Sequence, residues 1–272
     1  MFLPIFSFRN MTTQPQETPK IAVSALHKRF GANQVLAGID LEIGRGKSLV
    51  IIGGSGSGKS VTLKCILGLI KPDSGSIRFD GAEVTGLSGT AREKILAKIG
   101  MLFQGAALFD SMTVWENVAF GLMQAHGVPA RLAREKALAA MAKVGLEGEL
   151  AEMNPSELSG GMQKRVGLAR AIAPEPEILF FDEPTTGLDP IMAGIINELI
   201  IERVQELGAT ALTITHDMKS ARRIADTIAM IYQGKIIWCG PTADIDHCDN
   251  PHVEQFIKAK SEGPIALDVL RG

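Results

Sequence analysis

Eight residues, Gly53-Gly54-Ser55-Gly56-Ser57-Gly58-Lys59-Ser60, restrict what can surround them more than any other part of this chain. They fit the pattern G-x-x-x-x-G-K-[ST]. Before them runs Ser48–Ile52, apolar except for its first residue, which reads as a buried strand. After them, 59–70 reads as a helix with Leu63, Ile66, Leu67 and Ile70 on one face and Pro72 beyond its end. The glycines permit backbone angles that other residues resist, so successive N–H groups can point inward at an anion. The helix adds its positive N-terminal end. Lys59 then brings an ammonium to the outer phosphates of a nucleotide, and the Ser60 hydroxyl can coordinate magnesium. A glycine-rich turn ahead of a helix is the plainer interpretation. The Gly-Lys-Ser ending and the strand in front of it favour a phosphate cradle.

Two further segments ask for related chemistry. Ile178–Phe181 is another wholly apolar run, followed by Asp182 and Glu183. Asp182 therefore emerges at the C-terminal edge of a buried strand, where parallel sheets bind ligands, and can hold magnesium through water. Two acids in a surface turn would not need that apolar run before them. Leu158-Ser159-Gly160-Gly161 precedes a helix over 162–173. Ser159 can cap that helix, and its free N–H groups form a second anion site. Alone this is an ordinary capped helix start. Beside the first cradle and the acid pair, and with Arg165 and Ala169-Arg170-Ala171 after it, it reads as a second cradle.

The rest of the chain supplies the frame. Ile21–Phe30 reads as extended, with a turn at Gly31-Ala32-Asn33, and Leu36–Ile43 alternates as an antiparallel strand with one wet face. Gly75–Phe79 and Ile99–Phe103 read as strands and Ser88–Lys98 as a helix. From Gly105 to Pro174 the pattern is mostly helical, over 113–123, 129–144 and 162–173. Strand and helix then alternate over 178–181, 191–207, 209–215, 218–224 and 227–232. That alternation implies a parallel sheet covered by helices on both faces. Lys235–Cys239 reads as a last strand and Val253–Lys260 as a helix in the tail. The fold expected is α/β: a P-loop nucleotide hydrolase core of RecA type over 21–104 and 175–240, with an antiparallel β subdomain. A helical subdomain over 105–174 is inserted in it, and extensions occupy 1–20 and 241–272.

Bulk properties exclude several classes. A net charge of -2 does not supply the basic surface that nucleic acid usually requires. Cys65, Cys239 and Cys248 lie far apart without a C-x-x-C pair, so neither disulfides nor a zinc site is expected, and a reducing cytoplasmic setting is the simplest. No apolar run approaches the roughly 18 to 20 residues that span a bilayer. A transport role would need another protein to form the membrane path. Met1–Phe8 is apolar but short, with Arg9 after it rather than before it, which suits a signal peptide poorly. Met11 is an alternative first residue, and Gln14–Lys20 reads as a disordered polar tail.

Taken in order, the 53–60 cradle, Gln104, Leu158–Met162, Ile178–Glu183 and His216 resemble the ATP-binding subunit of an ABC transporter, over about residues 21 to 240. Val61 stands where that family often has a second Thr, and Met162 where it commonly has Gln, with Gln163 one residue later. The resemblance implies ATP and Mg2+ as cofactors and a role for each motif residue. Glu183 becomes the general base, Gln104 the Q-loop residue touching magnesium or the attacking water, and His216 the switch histidine at the γ-phosphate. Of the five histidines, His27, His126, His247 and His252 read as surface or loop residues. Phe30 lies at the family's spacing for the aromatic that stacks on adenine, with Val35 packing against the same base. Core packing is the competing reading of Phe30. Gly187-Leu188-Asp189 resembles the D-loop. In such ATPases two copies pair head to tail, so that Ser159-Gly160-Gly161 of one closes on the nucleotide held by the other.

The segments Met101–Asp110 and Thr113–Val118 resemble the Mla-type branch, as do Asn250-Pro251, Gln255-Phe256-Ile257 and Glu262-Gly263-Pro264-Ile265. That branch energises phospholipid transport between the inner and outer membranes of Gram-negative bacteria. It implies a multispanning permease, a periplasmic lipid-binding domain protein and often a small STAS-domain subunit, with the ATPase peripheral on the cytoplasmic face. It also implies a tail that reaches the neighbouring ATPase, and permease docking near Phe103, Leu108, Phe109 and Trp115, whose other reading is plain packing. Three alternatives stay open: an importer of amino acids or other small solutes, a soluble ABC ATPase acting on nucleic acid or cofactor assembly, and a nucleotide-gated scaffold. Near-neutral charge and the lack of a long coiled-coil insertion weigh against DNA handling.

Overall fold

The computed structural model describes residues 17–265. Most of the N-terminal extension (1–16, with Met1–Phe8 and Met11) and the last residues of the tail (266–272) lie outside them. Two sheets organise the chain. The first is antiparallel, with β1 (Ile21–Phe30), β2 (Asn33–Ile43), β4 (Ser74–Phe79) and β5 (Ala82–Glu83) in the order β2-β1-β4-β5. The second contains β3 (Ser48–Ile52), β6 (Ile99–Leu102), β7 (Ile178–Asp182), β8 (Thr210–Thr215), β9 (Thr227–Tyr232) and β10 (Lys235–Pro241) in the order β10-β9-β3-β8-β7-β6. All its pairings are parallel except β10 on β9.

Strand periodicity divides the interior into two cores. Leu49 and Ile51 of β3 face one core together with Ile21, Val23, Leu26, Leu36 and Ile39 of the antiparallel sheet and Leu63 and Ile66 of α1 (Lys59–Ile66). Val50 and Ile52 face the other. There they meet α3 (Val114–Gln124), α4 (Ala130–Lys143), α5 (Gly160–Ile172), α6 (Pro190–Leu207) and α7 (Met218–Ile224). Helices on both faces were expected from the alternation, and both faces carry them, but on one face α1 is joined by the antiparallel sheet. The reason lies in β1 and β2, whose alternating patterns each leave one apolar face to bury.

Several boundaries differ from the sequence reading. The 59–70 helix ends at Ile66, because Gly68 turns left-handed with φ 66° and stops it. Leu67 stays buried, and Ile70 packs only partly on the core. Asn33 is not in the turn but pairs with Phe30 at the start of β2. Lys20 is not free tail: it is buried between Asp80 and Glu177. His27 lies in β1, half-buried against Gly38, and His252 lies in α8 (Pro251–Ile257) with its ring 4.9 Å from that of Tyr232. Of the four histidines expected at the surface or in loops, these two sit half-buried in regular elements. Helix α2 (Gly89–Leu96) buries no residue, which leaves it lightly attached. Helix α8 ends at Ile257, and the tail returns to it through Gln255, whose Oε1 accepts from the Ile265 N–H at 2.7 Å.

Candidate functional site

The glycine loop joins the end of β3 to α1. A Cβ on Gly53 would stand 2.4 Å from the Ile231 carbonyl oxygen, and one on Gly58 would stand 3.0 Å from that of Val35. These two glycines are therefore fixed by close approach of β9 and β2. Gly54, Ser55, Gly56 and Ser60 are exposed along the rim, and Val61 packs partly on the core behind it. Val35 thus touches the loop through its backbone. Lys59 is buried and its Nζ donates to the carbonyls of Gly53 at 2.7 Å and Gly54 at 2.9 Å. Burial lowers its pKa, against the opposing pull of Glu183 and Asp182.

That pair stands at the C-terminal end of β7, beside β8. Burial first, and the charge of Glu183 second, raise the Asp182 pKa. Its Oδ1 is buried without a hydrogen-bond partner among the described residues. A buried, unpaired carboxylate oxygen is a donor suited to a hard cation such as magnesium. Glu183 has φ 49°, a strained conformation for this residue type. Its N–H donates to the Ile214 carbonyl at 2.9 Å. Its Oε2 stands 2.8 Å from His216 Nδ1 and accepts from Thr186 Oγ1 at 2.9 Å. His216 is exposed on its other side.

Gln104 follows β6 and is exposed, as is Phe103. Its carbonyl accepts from Lys164 Nζ. Arg170 of the same helix donates to the carbonyls of Ala106 and Ala107, so α5 holds the segment after Gln104. Helix α5 also begins at the second cradle. Ser159 Oγ accepts from the Met162 N–H at 3.3 Å, Leu158 is buried, and Ser159 and Gly160 are exposed. Gln163 braces the loop from within, donating to the carbonyls of Pro155 and Leu158. The first N–H groups of α5 lack partners within the helix, as at any helix start. Gly161 packs against the Met192 side chain at the start of α6.

Phe30 is 48% exposed with Lys28 Nζ 5.4 Å from its ring centre, which fits a stacking surface better than the core reading. The Asp189 carboxylate caps α6, accepting from the N–H groups of Ile191 and Met192. Sequence reasoning missed Lys164 and Thr186. Lys164 could have been found, because it occupies the buried stripe Gly161, Lys164, Leu168, Ala171 where an apolar residue belongs. Thr186 carried no such signal.

The cradle, the second cradle and the acid pair all lie within the span of a single family match. The ABC transporter family profile matches residues 36–186. The chain belongs to the ABC transporter family. A protein named intermembrane phospholipid transport system ATP-binding protein MlaF, from Haemophilus influenzae, is 38% identical over 245 residues, covering 90% of this chain and 92% of its own. One named probable ribonucleotide transport ATP-binding protein mkl, from Mycobacterium tuberculosis, is 37% identical over 247 residues, 91% of this chain and 68% of its own. A solved dimeric ATP-binding cassette in a post-hydrolysis state with ADP and Pi superposes with a TM-score of 0.75 at 31% identity, covering 82% of this chain and 98% of that one. This ABC chain is an ATPase. Among its described residues no helix is long and apolar enough to cross a membrane.

Proposed function

We propose that this ATPase drives phospholipid transport between two membranes as a head-to-tail pair of copies on the cytoplasmic face of an inner membrane. The observation that carries this reading is the likeness to the protein named MlaF along nearly the whole of both chains. Each nucleotide would be gripped by Gly53–Ser60 of one copy and Ser159-Gly160-Gly161 of the other. Such joint contacts favour the closed pair, and their loss on hydrolysis opens it. Ser60, Asp182 and Gln104 would hold magnesium, which would supply charge neutralisation at the phosphates. Lys59 places its ammonium at the outer phosphates once they displace it from the loop carbonyls. Glu183 orients a water and takes its proton, while His216 Nδ1 and the Thr186 hydroxyl both contact its Oε2.

Exposed Phe103 and Phe109 offer an apolar seat for a multispanning permease; Leu108 and Trp115 are mostly occupied in packing. Asn117 stiffens that seat by donating to the Phe109 carbonyl and accepting from its N–H. A STAS-domain subunit and a periplasmic lipid-binding domain protein complete the expected assembly, and residues 241–272 reach the partner ATPase. Import of a small solute is the second reading, favoured by the name of the mycobacterial relative. Isolation with native membrane partners separates the two. Co-purification of a lipid-binding periplasmic subunit is the expected result; a soluble solute receptor in its place would overturn the lipid reading.

A further inference from the structure

Lys164 is a buried charge that none of the motif residues accounts for. It is 5% exposed, lies on α5 just past the second cradle, and faces inward. Its Nζ donates to the Gln104 carbonyl and, at 3.4 Å, to the Glu183 carbonyl. An ammonium carries donors only, and burying it is unfavourable unless they are used. Here they are spent on the backbones of two different loops that converge on the acid pair. Burial lowers its pKa, and the Asp182 and Glu183 charges oppose that only in part. The Glu183 peptide is thereby held on both sides, through its N–H by Ile214 and through its carbonyl by Lys164. A residue at φ 49° needs such outside bonds to keep its conformation.

The rest of the Gln104 segment is held independently. Arg170 binds the carbonyls of Ala106 and Ala107, and a Cβ on Gly167 would meet Leu102 at 2.7 Å. Loss of Lys164 therefore frees Gln104 and Glu183 without releasing the loop. The helix that bears Lys164 starts at Ser159-Gly160-Gly161, so one rigid element ends in the second cradle and grips the backbone of this chain's own base.

We infer that Lys164 is a positioning residue that couples the two ATP sites of the pair: it sets Gln104 and Glu183 of its own site according to whether its Ser159 cradle has closed on the partner's nucleotide. This rests on the paired-site reading above. Lys164→Met keeps the stem and removes the donors, whereas Lys164→Arg keeps donors. Phosphate release is measured against ATP concentration for the full chain in the membrane complex with which it is isolated. Lys164→Met is expected to lower kcat by at least about tenfold, the scale of a lost charged hydrogen bond. KM should stay within about twofold, since ground-state binding is untouched. The Hill coefficient should fall toward unity, and Lys164→Arg should recover most of both losses. Wild-type kcat and Hill coefficient in Lys164→Met, or equal impairment of the Met and Arg variants, would overturn the coupling role. Should Lys164→Met fail to fold, Lys164→Leu, which likewise lacks donors, is judged by kcat and Hill coefficient in the same way. Glu183→Gln, assayed for ATP-dependent pairing alongside, separates the failures. Its failure to pair removes the paired-site reading itself; normal pairing with an unaltered Lys164→Met removes only the role of Lys164.

Discussion

His216 Nδ1 stands 2.8 Å from Glu183 Oε2, across the ends of the neighbouring strands β7 and β8. The histidine and the acid that follows Asp182 are thus in direct polar contact. Because β8 delivers His216 and β7 delivers Glu183, the parallel register of the two strands sets their separation. Replacing Glu183 by Gln should cut phosphate release by about 10² to 10⁴-fold, the usual worth of a general base. Nucleotide binding should survive, as read by fluorescence of an ATP analogue. Turnover at the wild-type rate would remove Glu183 from the chemistry.

The two halves of the glycine loop should respond differently to an added methyl. Gly53→Ala would drive its Cβ to 2.4 Å from a backbone oxygen that cannot step aside, whereas nothing lies within 4 Å of a Cβ on Gly54. Overpacking of that kind costs about 1 to 3 kcal/mol. Gly53→Ala should therefore lower the melting temperature and ATP affinity together, and Gly54→Ala should leave the melting temperature nearly unchanged. Equal melting temperatures for the two variants would contradict the close approach of β9.

Exposed Phe30 should act in binding and not in catalysis. An aromatic stacking contact is worth about 1 kcal/mol, or about fivefold in affinity. Phe30→Ala is expected to raise KM for ATP by about that factor with kcat preserved, and Phe30→Trp to restore it. Unchanged KM in Phe30→Ala would return the residue to a plain surface role.

Lys20 ties the start of β1 to both sheets, through Asp80 beside β4 and Glu177 ahead of β7. Burial works against its charge, while the bonds from Glu177 and Asp80 raise its pKa above the ordinary 10.5. Glu177 is correspondingly held below its ordinary 4.5, by Lys20 first and Lys98 second. A raised lysine stabilises below its unfolded value and loses that contribution as pH rises through the folded one. A lowered glutamate stabilises above its unfolded value and loses it as pH falls. Lys20→Met should thus cost about 2 kcal/mol near neutral pH, on the scale of charged hydrogen bonds. The gap between wild type and variant in thermal melts should narrow as pH drops below 4.5. A gap independent of pH would mean that the stem, not the charge, matters.

The two cradles and the acid pair were legible because each is marked by chain-local necessity, whereas Gln104, His216 and Phe30 were picked out only through the family resemblance. Phosphate cradles need glycine next to a helix start, and a buried strand that ends in acids announces itself by its apolar run. Thr186 and Lys164 were hidden for the opposite reason. Their significance lies in what they touch, Glu183 Oε2 in one case and two loop carbonyls in the other, and those partners come from distant parts of the chain.

By itself the sequence determined the strand–loop–helix cradle, the acid pair, the capped second cradle and most of the elements, since these follow from local backbone freedom and side-chain periodicity. Tertiary structure alone decided that the antiparallel sheet covers one face of the parallel one, that α1 stops at Gly68, and that His216 meets Glu183. It also decided that Lys164 is spent on Gln104 and Glu183. These depend on which apolar faces find each other and where buried charges find acceptors, and both are settled between segments far apart in the chain.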